Sequence, residues 1–95
     1  MDCLDPYIEC MLVISTSHIT PKEAEKLNNG EESPFITYDK EEYGWLLFIE
    51  KDRTEYDAEW PSLSAIHTMA AQRGLQWVMF DRGAELCKAL PHYEW

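Results

Sequence analysis

Short runs of apolar residues recur along this chain, and their spacing predicts its strands. Residues 8–15, with the sequence IECMLVIS, are rich in Ile, Val and Leu and contain no Gly or Pro. This run predicts a central strand that is buried on both faces. Phe35–Tyr38 alternates aromatic and β-branched residues, and Gly44–Glu50 is apolar, so the two predict a β-hairpin whose turn is Asp39–Glu42. Gln76–Asp81 predicts a fourth strand.

Two helices are predicted between these strands. Thr20, Pro21 and Glu23 have the spacing of a capping box, which predicts a helix that begins at Pro21. That helix is expected to end at residues that accept the left-handed conformation, Asn28, Asn29 and Gly30. Pro61 opens a second segment, in which apolar residues recur at helical spacing as far as Gly74.

The predicted element order is β-α-β-β-α-β in a single domain that spans residues 1–95. This order is typical of an α+β, ferredoxin-like two-layer sandwich, with a four-stranded antiparallel sheet and two helices on one face. A sheet with the same elements in another strand order is the alternative. Residues 51–59 are predicted to form a loop or extended arm, and residues 83–89 a short helical turn.

Three of the predicted strands have apolar residues at consecutive positions, in Met11–Ile14, Trp45–Ile49 and Trp77–Phe80. Because side chains alternate across a sheet, large apolar groups are expected on both of its faces. The helices cover one face only. The other is expected to be covered by the tail at residues 90–95, by a second copy of the chain in a homodimer, or by a binding target.

The charge balance narrows the classes of partner. The chain has 18 Asp and Glu residues against 8 Lys and Arg, a net charge of −10 and an isoelectric point near 4.5. Direct binding to nucleic acid is not expected, because affinity for phosphates comes from cations. An acidic surface attracts a protein partner with a basic surface instead. The alternative is that the charge only keeps the protein soluble.

Negative charge is concentrated between residues 31 and 59, where ten acidic residues accompany Lys40, Lys51 and Arg53. The acidic residues are Glu31, Glu32, Asp39, Glu41, Glu42, Glu50, Asp52, Glu55, Asp57 and Glu59. The aromatic residues among or beside them are Tyr38, Tyr43, Tyr56 and Trp60. Such a surface is similar to nucleic acid in charge and stacking, so it predicts a contact surface for a basic groove. A solvated rim that protects the sheet edges is the alternative.

No catalytic, cofactor or metal signature is present. His18 follows Ser15–Ser17, but neighbouring residues rarely form a nucleophile–base pair, and capping explains these hydroxyls more simply. His67 is predicted to be a half-exposed helix residue, and His92 lies in the tail. We therefore expect a protein that is not an enzyme and that needs neither a cofactor nor a metal ion.

The cysteines and the hydropathy pattern indicate a compartment. Cys3, Cys10 and Cys87 are odd in number and lack CxxC spacing, so reduced thiols are expected rather than disulfides or a zinc site. Residues 1–9 are acidic, unlike a signal peptide, and residues 11–14 are too few to span a bilayer. These features predict a cytoplasmic protein that makes no contact with membranes.

Four blocks of sequence carry a family resemblance. They are VISTSHITPKEAEKL at residues 13–27, YGWLLFI at 43–49, GLQWVMFDR at 74–82 and LPHYEW at 90–95. They resemble a family of small uncharacterised domains encoded on bacterial plasmids, prophages and integrative elements. The family has no assigned chemistry, so the resemblance implies no site residues. Mobile elements encode small acidic proteins that block bacterial defence, so the resemblance implies an anti-CRISPR or anti-restriction protein.

Three hypotheses of function follow from the sequence. The first is an inhibitor that binds a nucleic-acid-handling defence machine, a CRISPR effector or a restriction enzyme, by mimicking nucleic-acid charge. The second is a non-enzymatic interaction or regulatory module of a mobile element that acts through an apolar sheet face. The third is a small enzyme that uses His18, and only the position of that residue supports this hypothesis.

Overall fold

The computed structural model describes residues 7–31, 33–51 and 56–93 of the chain. These residues form strands β1 (Met11–Ile14), β2 (Thr37–Asp39), β3 (Gly44–Phe48) and β4 (Trp77–Asp81), and α-helices α1 (Pro21–Asn28) and α2 (Pro61–Gln72). Single turns of 3-10 helix at Thr16–His18 and Glu41–Tyr43 precede α1 and β3. The predicted β-α-β-β-α-β order of strands and α-helices is confirmed.

The sheet has the strand order β1-β4-β3-β2 within the described residues. β2 pairs with β3 and β3 with β4 in antiparallel fashion, whereas β1 runs parallel to β4. The predicted α+β class with four strands and two α-helices is confirmed. The purely antiparallel sheet is wrong, and the ferredoxin-like arrangement is not confirmed. The chain adopts the alternative of a different strand order.

β1 lies at an edge of the sheet, so its predicted central position is also wrong. Met11 and Val13 are exposed, Leu12 is half-buried and Ile14 is buried. An unbroken apolar run is typical of a strand covered on both faces, but the same run occurs when one face is left open. The apolar pattern alone does not distinguish these two cases.

α1 begins and ends where the sequence predicts. The Thr20 hydroxyl oxygen accepts the backbone N–H of Glu23 at 3.2 Å, which is the predicted capping bond. The hydroxyl itself donates to the carboxylate of Glu23 at 2.8 Å. After Asn28 the chain turns through Gly30, whose φ of 76° lies in the left-handed region that favours glycine. These local features fix both ends of the helix.

The amino end of α2 takes its cap from α1. Trp60 precedes the first residue and forms no side-chain cap. The Glu23 carboxylate replaces that cap, because it accepts the backbone N–H of Ser62 at 3.0 Å and that of Leu63 at 3.1 Å. Glu23 is only 1% exposed. Its negative charge therefore lies buried at the positive end of α2, where helix N–H groups stabilise it.

The core lies between the sheet and the two helices. Its buried side chains come from β1, β3, β4, α1, the turn before α1, and α2, and include Ile14, Ile19, Ala24, Trp45, Leu47, Leu63, Ile66, Ala70, Val78 and Phe80. Phe35, Ile49 and Trp60 extend it from the segments between elements. All the strand residues among them point toward the helices, so this core occupies one face of the sheet only.

β3 starts at a point where two backbones touch. Gly44 pairs with Asp81 of β4 and has a φ of 138°. A Cβ atom at this position would lie 1.8 Å from the carbonyl oxygen of Phe80, well inside van der Waals distance. Glycine is therefore required here for the hairpin to pack against β4.

The segment after β4 differs from the prediction. Residues 83–89 form turns rather than a helical turn, and the segment is attached to β1 through the bond from the Ser15 N–H to the Glu85 carbonyl. Cys10 is disulfide-bonded, whereas Cys87 is a free thiol. The expectation of reduced cysteines is therefore wrong at Cys10, because sequence spacing does not show which thiols the fold brings together. Cys3 lies outside the described residues.

Candidate protein-binding surfaces

Four of the predicted contact residues lie together at the turn between β2 and β3. These residues, Asp39, Glu41, Glu42 and Tyr43, form what we call the hairpin end. All four side chains are exposed. None of the three carboxylates forms an ion pair with a described residue. The hairpin end therefore presents uncompensated negative charge to solvent.

The backbone of the hairpin end is held by local hydrogen bonds. The Asp39 carboxylate accepts the Glu41 N–H at 2.7 Å, and the Lys40 N–H donates to the Gly44 carbonyl at 2.9 Å. The Tyr43 carbonyl accepts the N–H of Arg82, also at 2.9 Å, which joins the turn to the end of β4. Glu41 has a φ of 59°, a conformation that residues other than glycine rarely adopt. The turn thus fixes its own backbone and the Asp39 carboxylate.

The other described acidic residues differ in their distance from the hairpin end. Glu31 follows α1 and lines a cleft of about 440 Å³ together with Asp39, so it adjoins the hairpin end. Glu50 follows β3 at the end opposite the hairpin turn. Asp57 and Glu59 precede α2, where Glu59 pairs with Lys26 at 3.2 Å. Glu32, Asp52 and Glu55 lie outside the described residues. Of the described members of the predicted acidic row, Glu31 therefore adjoins the hairpin end, whereas Glu50, Asp57 and Glu59 belong to other parts of the fold.

The aromatic residues of the predicted surface differ in exposure. Tyr38, Tyr43 and Tyr56 are exposed. Trp60 is only 5% exposed and belongs to the core, with the ammonium group of Lys26 4.9 Å from its ring centroid. Trp60 is therefore not a contact residue. The sequence alone does not show whether Trp60 is buried or exposed, because the amphipathic indole of tryptophan occurs both in cores and on contact surfaces.

A cleft of about 470 Å³ borders the hairpin end. Glu41 and Glu42 line it together with Thr16 and Ser17. Arg82, which is exposed, lies at the same cleft. The cleft therefore combines carboxylates, hydroxyls and one guanidinium group beside the carboxyl ends of β1 and β4.

A second candidate surface is the sheet face opposite the helices, which we call the open face. Strand pairing places eight apolar side chains on it: Met11, Val13, Ile36, Tyr38, Leu46, Phe48, Trp77 and Met79. Four of these are more than a third exposed, namely Met11, Val13, Ile36 and Tyr38. The prediction of apolar residues on both faces of the strands is therefore confirmed.

The centre of the open face is an aromatic cluster. The ring centroid of Trp77 lies 5.1 Å from that of Phe48, edge to face, and 6.2 Å from that of Tyr38. The Trp77 indole N–H donates to the carboxylate of Glu9, and the Lys40 ammonium group donates to the Met79 sulfur at 3.2 Å. No pattern in the sequence indicates a role for Glu9, Ile36 or Lys40. Only strand register shows that they adjoin this face.

His18 has a structural role in this fold. It is 1% exposed, and both of its ring nitrogens are hydrogen-bonded. Nε2 accepts the Cys87 N–H at 2.8 Å, so the proton is on Nδ1, which donates to the Pro91 carbonyl at 2.7 Å. The imidazole therefore holds the segment after β4 and has no nitrogen free for proton transfer.

His67 and Ser15 also have structural roles, because each accepts a hydrogen bond from a backbone N–H group. His67 is 1% exposed and accepts the Glu50 N–H at 2.9 Å, so its predicted half-exposed position is wrong. The sequence does not show that a helical histidine accepts a hydrogen bond from a loop that is distant along the chain. The Ser15 hydroxyl oxygen accepts the Ser17 N–H at 3.1 Å, in agreement with the expected capping role.

In ranges 7–31, 33–51 and 56–93, no three His, Cys, Asp or Glu side chains are grouped to hold a metal ion. Across those same ranges, neither α-helix has the length and apolar character that crossing a bilayer requires.

Comparison with known proteins adds a family but no relative of known activity. A family model described as "Family of unknown function (DUF5983) C-terminal domain" matches residues 11–95. No curated protein and no solved structure matches the chain.

Proposed function

This chain belongs to the DUF5983 family, whose function is unknown, and we propose that it is a small acidic inhibitor of a nucleic-acid-handling protein. Its target is a bacterial defence machine, a CRISPR effector or a restriction enzyme, and its action is to occupy a basic groove. The chain works in the cytoplasm of the bacterial host that carries a mobile element. It is not an enzyme.

The observation that carries this proposal is the charge of the hairpin end. Asp39, Glu41 and Glu42 are exposed, lack cationic partners among the described residues and are held by a hydrogen-bonded turn. Carboxylates fixed in this way bind cations without an added cost of ordering their backbone. A groove that holds the phosphates of nucleic acid presents Lys and Arg side chains to such a surface.

The net charge of −10 supports association with the same class of partner. A protein of this charge is attracted to a basic groove and repelled by nucleic acid, so it approaches the enzyme rather than its substrate. Tyr43, exposed within the hairpin end, supplies a ring that can stack where a base would lie. Tyr56 belongs to the proposed contact surface because it is also exposed, whereas Trp60 does not because it is buried.

A displacement experiment tests the proposal. A purified restriction endonuclease or CRISPR effector is bound to labelled duplex DNA, and the protein is titrated while DNA release is measured. The test variant carries Glu41→Lys and Glu42→Lys, and the control carries Glu25→Lys and Glu85→Lys. All four glutamates are exposed and both variants have the same net charge.

The expected result is that the control displaces DNA nearly as well as the parent, while the hairpin-end variant is at least about tenfold weaker. Equal loss in both variants would show that net charge, rather than the hairpin end, is responsible for displacement. No displacement from any enzyme of either class contradicts the proposal.

The compartment is tested separately. A bacterial cytosol keeps thiols reduced, whereas Cys10 is disulfide-bonded in this structure. Alkylation of protein in intact cells, followed by mass spectrometry, measures the fraction of Cys10 that is oxidised. A cytoplasmic location predicts that Cys10 is mostly reduced in cells, and full oxidation, in agreement with the disulfide in this structure, argues for another compartment.

A non-enzymatic interaction module that acts through an apolar sheet face is the second candidate. The eight apolar side chains of the open face favour it. The two candidates are compatible, because one protein contact can contain both an acidic and an apolar part.

A further inference from the structure

The open face has no cover within the described residues. α1 and α2 both pack on the opposite face, where their core residues meet Leu47, Val78 and Phe80. Soluble monomers rarely expose a contiguous apolar patch of more than a few hundred Å² unless it binds something. Val13 is 50% exposed and Tyr38 is 53% exposed beside an aromatic cluster, so the described residues leave this face available to an occupant.

The carboxyl-terminal segment does not supply that cover as far as it is described. The Pro91 carbonyl accepts the Nδ1–H of His18, and the Tyr93 N–H donates to the Ser17 carbonyl at 2.8 Å. Leu90, Pro91 and Tyr93 line a small cavity together with Pro61 and Ile66 at the start of α2. Through Tyr93, the tail thus follows the helical side of the molecule rather than the open face. Glu94 and Trp95 lie outside the described residues.

Charge at the border of the open face selects among the other occupants. Glu9 binds the Trp77 indole at one end of the strands, and strand alternation places Asp81 on this face at the other end. The hairpin end adjoins Asp81 through the pairing of Gly44, and its Glu41 and Glu42 line the cleft that also contains Asn28 and Trp45, toward the helical side. Lys40 is the cation that contacts this face among the described residues.

We propose that the open face binds a protein surface whose apolar centre is bordered by Lys and Arg side chains. A second copy of the chain brings the same acidic border and a net charge of −10, so self-association is opposed by like charges. Nucleic acid is repelled for the same reason, although the Tyr38, Phe48 and Trp77 rings have the geometry for base stacking. Only a cationic protein satisfies both the apolar centre and the acidic border.

This inference rests on the proposed function, because it adds an apolar contact to the same basic partner. The two contacts differ in their response to salt. Attraction between exposed charges is screened over about 8 Å at physiological ionic strength, whereas burial of apolar surface is not weakened by salt. Salt and the two sets of variants therefore separate a failure of one contact from a failure of the other.

The test uses the full chain and a defined probe. The probe is a synthetic peptide of alternating leucine and lysine, which presents one apolar and one cationic face as a strand. A peptide of alternating leucine and glutamate is its charge control. Binding is measured by titration calorimetry at low and high salt, and the mass of the unbound protein is measured by light scattering.

The test variant is Val13→Ser combined with Tyr38→Ser, which removes apolar surface from the open face without changing charge. Leu86→Ser is the control, because Leu86 is 49% exposed and Val13 is 50% exposed, yet Leu86 lies outside the sheet. Circular dichroism and thermal unfolding confirm that each variant is folded before binding is compared.

The expected result is that the leucine–lysine peptide binds, its glutamate counterpart does not, and the Val13→Ser/Tyr38→Ser variant binds at least about tenfold more weakly at high salt. Leu86→Ser is expected to match the parent. The Glu41→Lys/Glu42→Lys variant is expected to lose affinity chiefly at low salt.

Three outcomes overturn the inference. In the first, the Val13→Ser/Tyr38→Ser variant binds the peptide as the parent does, whatever the hairpin-end variant shows. In the second, the parent is a dimer in light scattering and that variant is a monomer, which makes a second copy the occupant. In the third, a poly-dT oligonucleotide binds and the same variant loses this binding.

Discussion

The carboxylate of Glu23 on α1 accepts the backbone N–H of Leu63 on α2 at 3.1 Å, in the buried interior of the molecule. The same carboxylate accepts the Ser62 N–H, so one side chain satisfies two donors that α2 cannot satisfy itself. The relative position of the two helices therefore depends on one carboxylate.

Glu23→Gln tests this dependence. The variant is expected to unfold with a free energy about 2–4 kcal/mol lower, because it replaces charge-assisted hydrogen bonds and turns an NH₂ group toward backbone donors. Denaturant unfolding measures the change. Glu25→Gln, at an exposed position of the same helix, is the control and is expected to be within about 0.5 kcal/mol of the parent. Equal stability of the two variants would contradict the capping role.

Gly44→Ala is expected to be severely destabilising, by more than about 3 kcal/mol, because the added Cβ meets the Phe80 carbonyl and β3 must separate from β4. Gly30→Ala is the matched control, since Gly30 also has positive φ but has no atom within 4 Å of the added Cβ. It is expected to cost about 1 kcal/mol from backbone strain alone. Thermal unfolding of both variants measures the difference, and similar midpoints would disprove the close approach.

Glu41→Gly is expected to stabilise the protein by up to about 1 kcal/mol, because glycine relieves the backbone strain at a φ of 59°. The gain is limited because glycine loses more conformational entropy on folding than glutamate does. Glu42→Gly removes the same charge without positive φ to relieve, so it is expected to be neutral or destabilising. Equilibrium unfolding at two salt concentrations compares them. If both variants gain equally, charge repulsion rather than backbone strain is the cause.

His18→Ala is expected to release the segment after β4, since it removes the acceptor for the Cys87 N–H and the donor to the Pro91 carbonyl. Amide hydrogen exchange at Cys87 should accelerate by about tenfold or more, in keeping with the loss of its hydrogen bond. Displacement of DNA from a target enzyme should be retained. His92→Ala, at an exposed position, is the control. Unchanged exchange at Cys87, or loss of function in a folded variant, would contradict this role.

Local features of the sequence were sufficient to predict the helices. The capping box at Thr20 and Glu23, the prolines at the first position of α1 and α2, and Gly30 and Gly74 act within a few residues of each helix end. The structure has both α-helices at those places. Their physical causes are short-range, so no knowledge of the rest of the fold was needed.

Long-range features could not be predicted in the same way. The parallel pairing of β1 with β4 depends on how the whole chain packs, and an apolar run fits either a central or an edge strand. The burial of His18, His67 and Trp60 depends on acceptors and core contacts far away in the sequence. At the candidate site, the hairpin end was predicted as a group because its residues are adjacent. The dispersal of Glu50, Asp57 and Glu59 was not, because it follows from the fold.

The position of β1 also determines when this protein can complete its folding. Among the residues that the structure describes, β1 pairs only with β4, and the adjoining Cys10 and Gln76, which are hydrogen-bonded, are 66 residues apart. During synthesis on the ribosome, the β2–β3 hairpin can form early, whereas the apolar residues of β1 must wait for β4 to emerge. In that interval β1 is an unpaired edge, so newly made chains are expected to engage chaperones through residues 11–14.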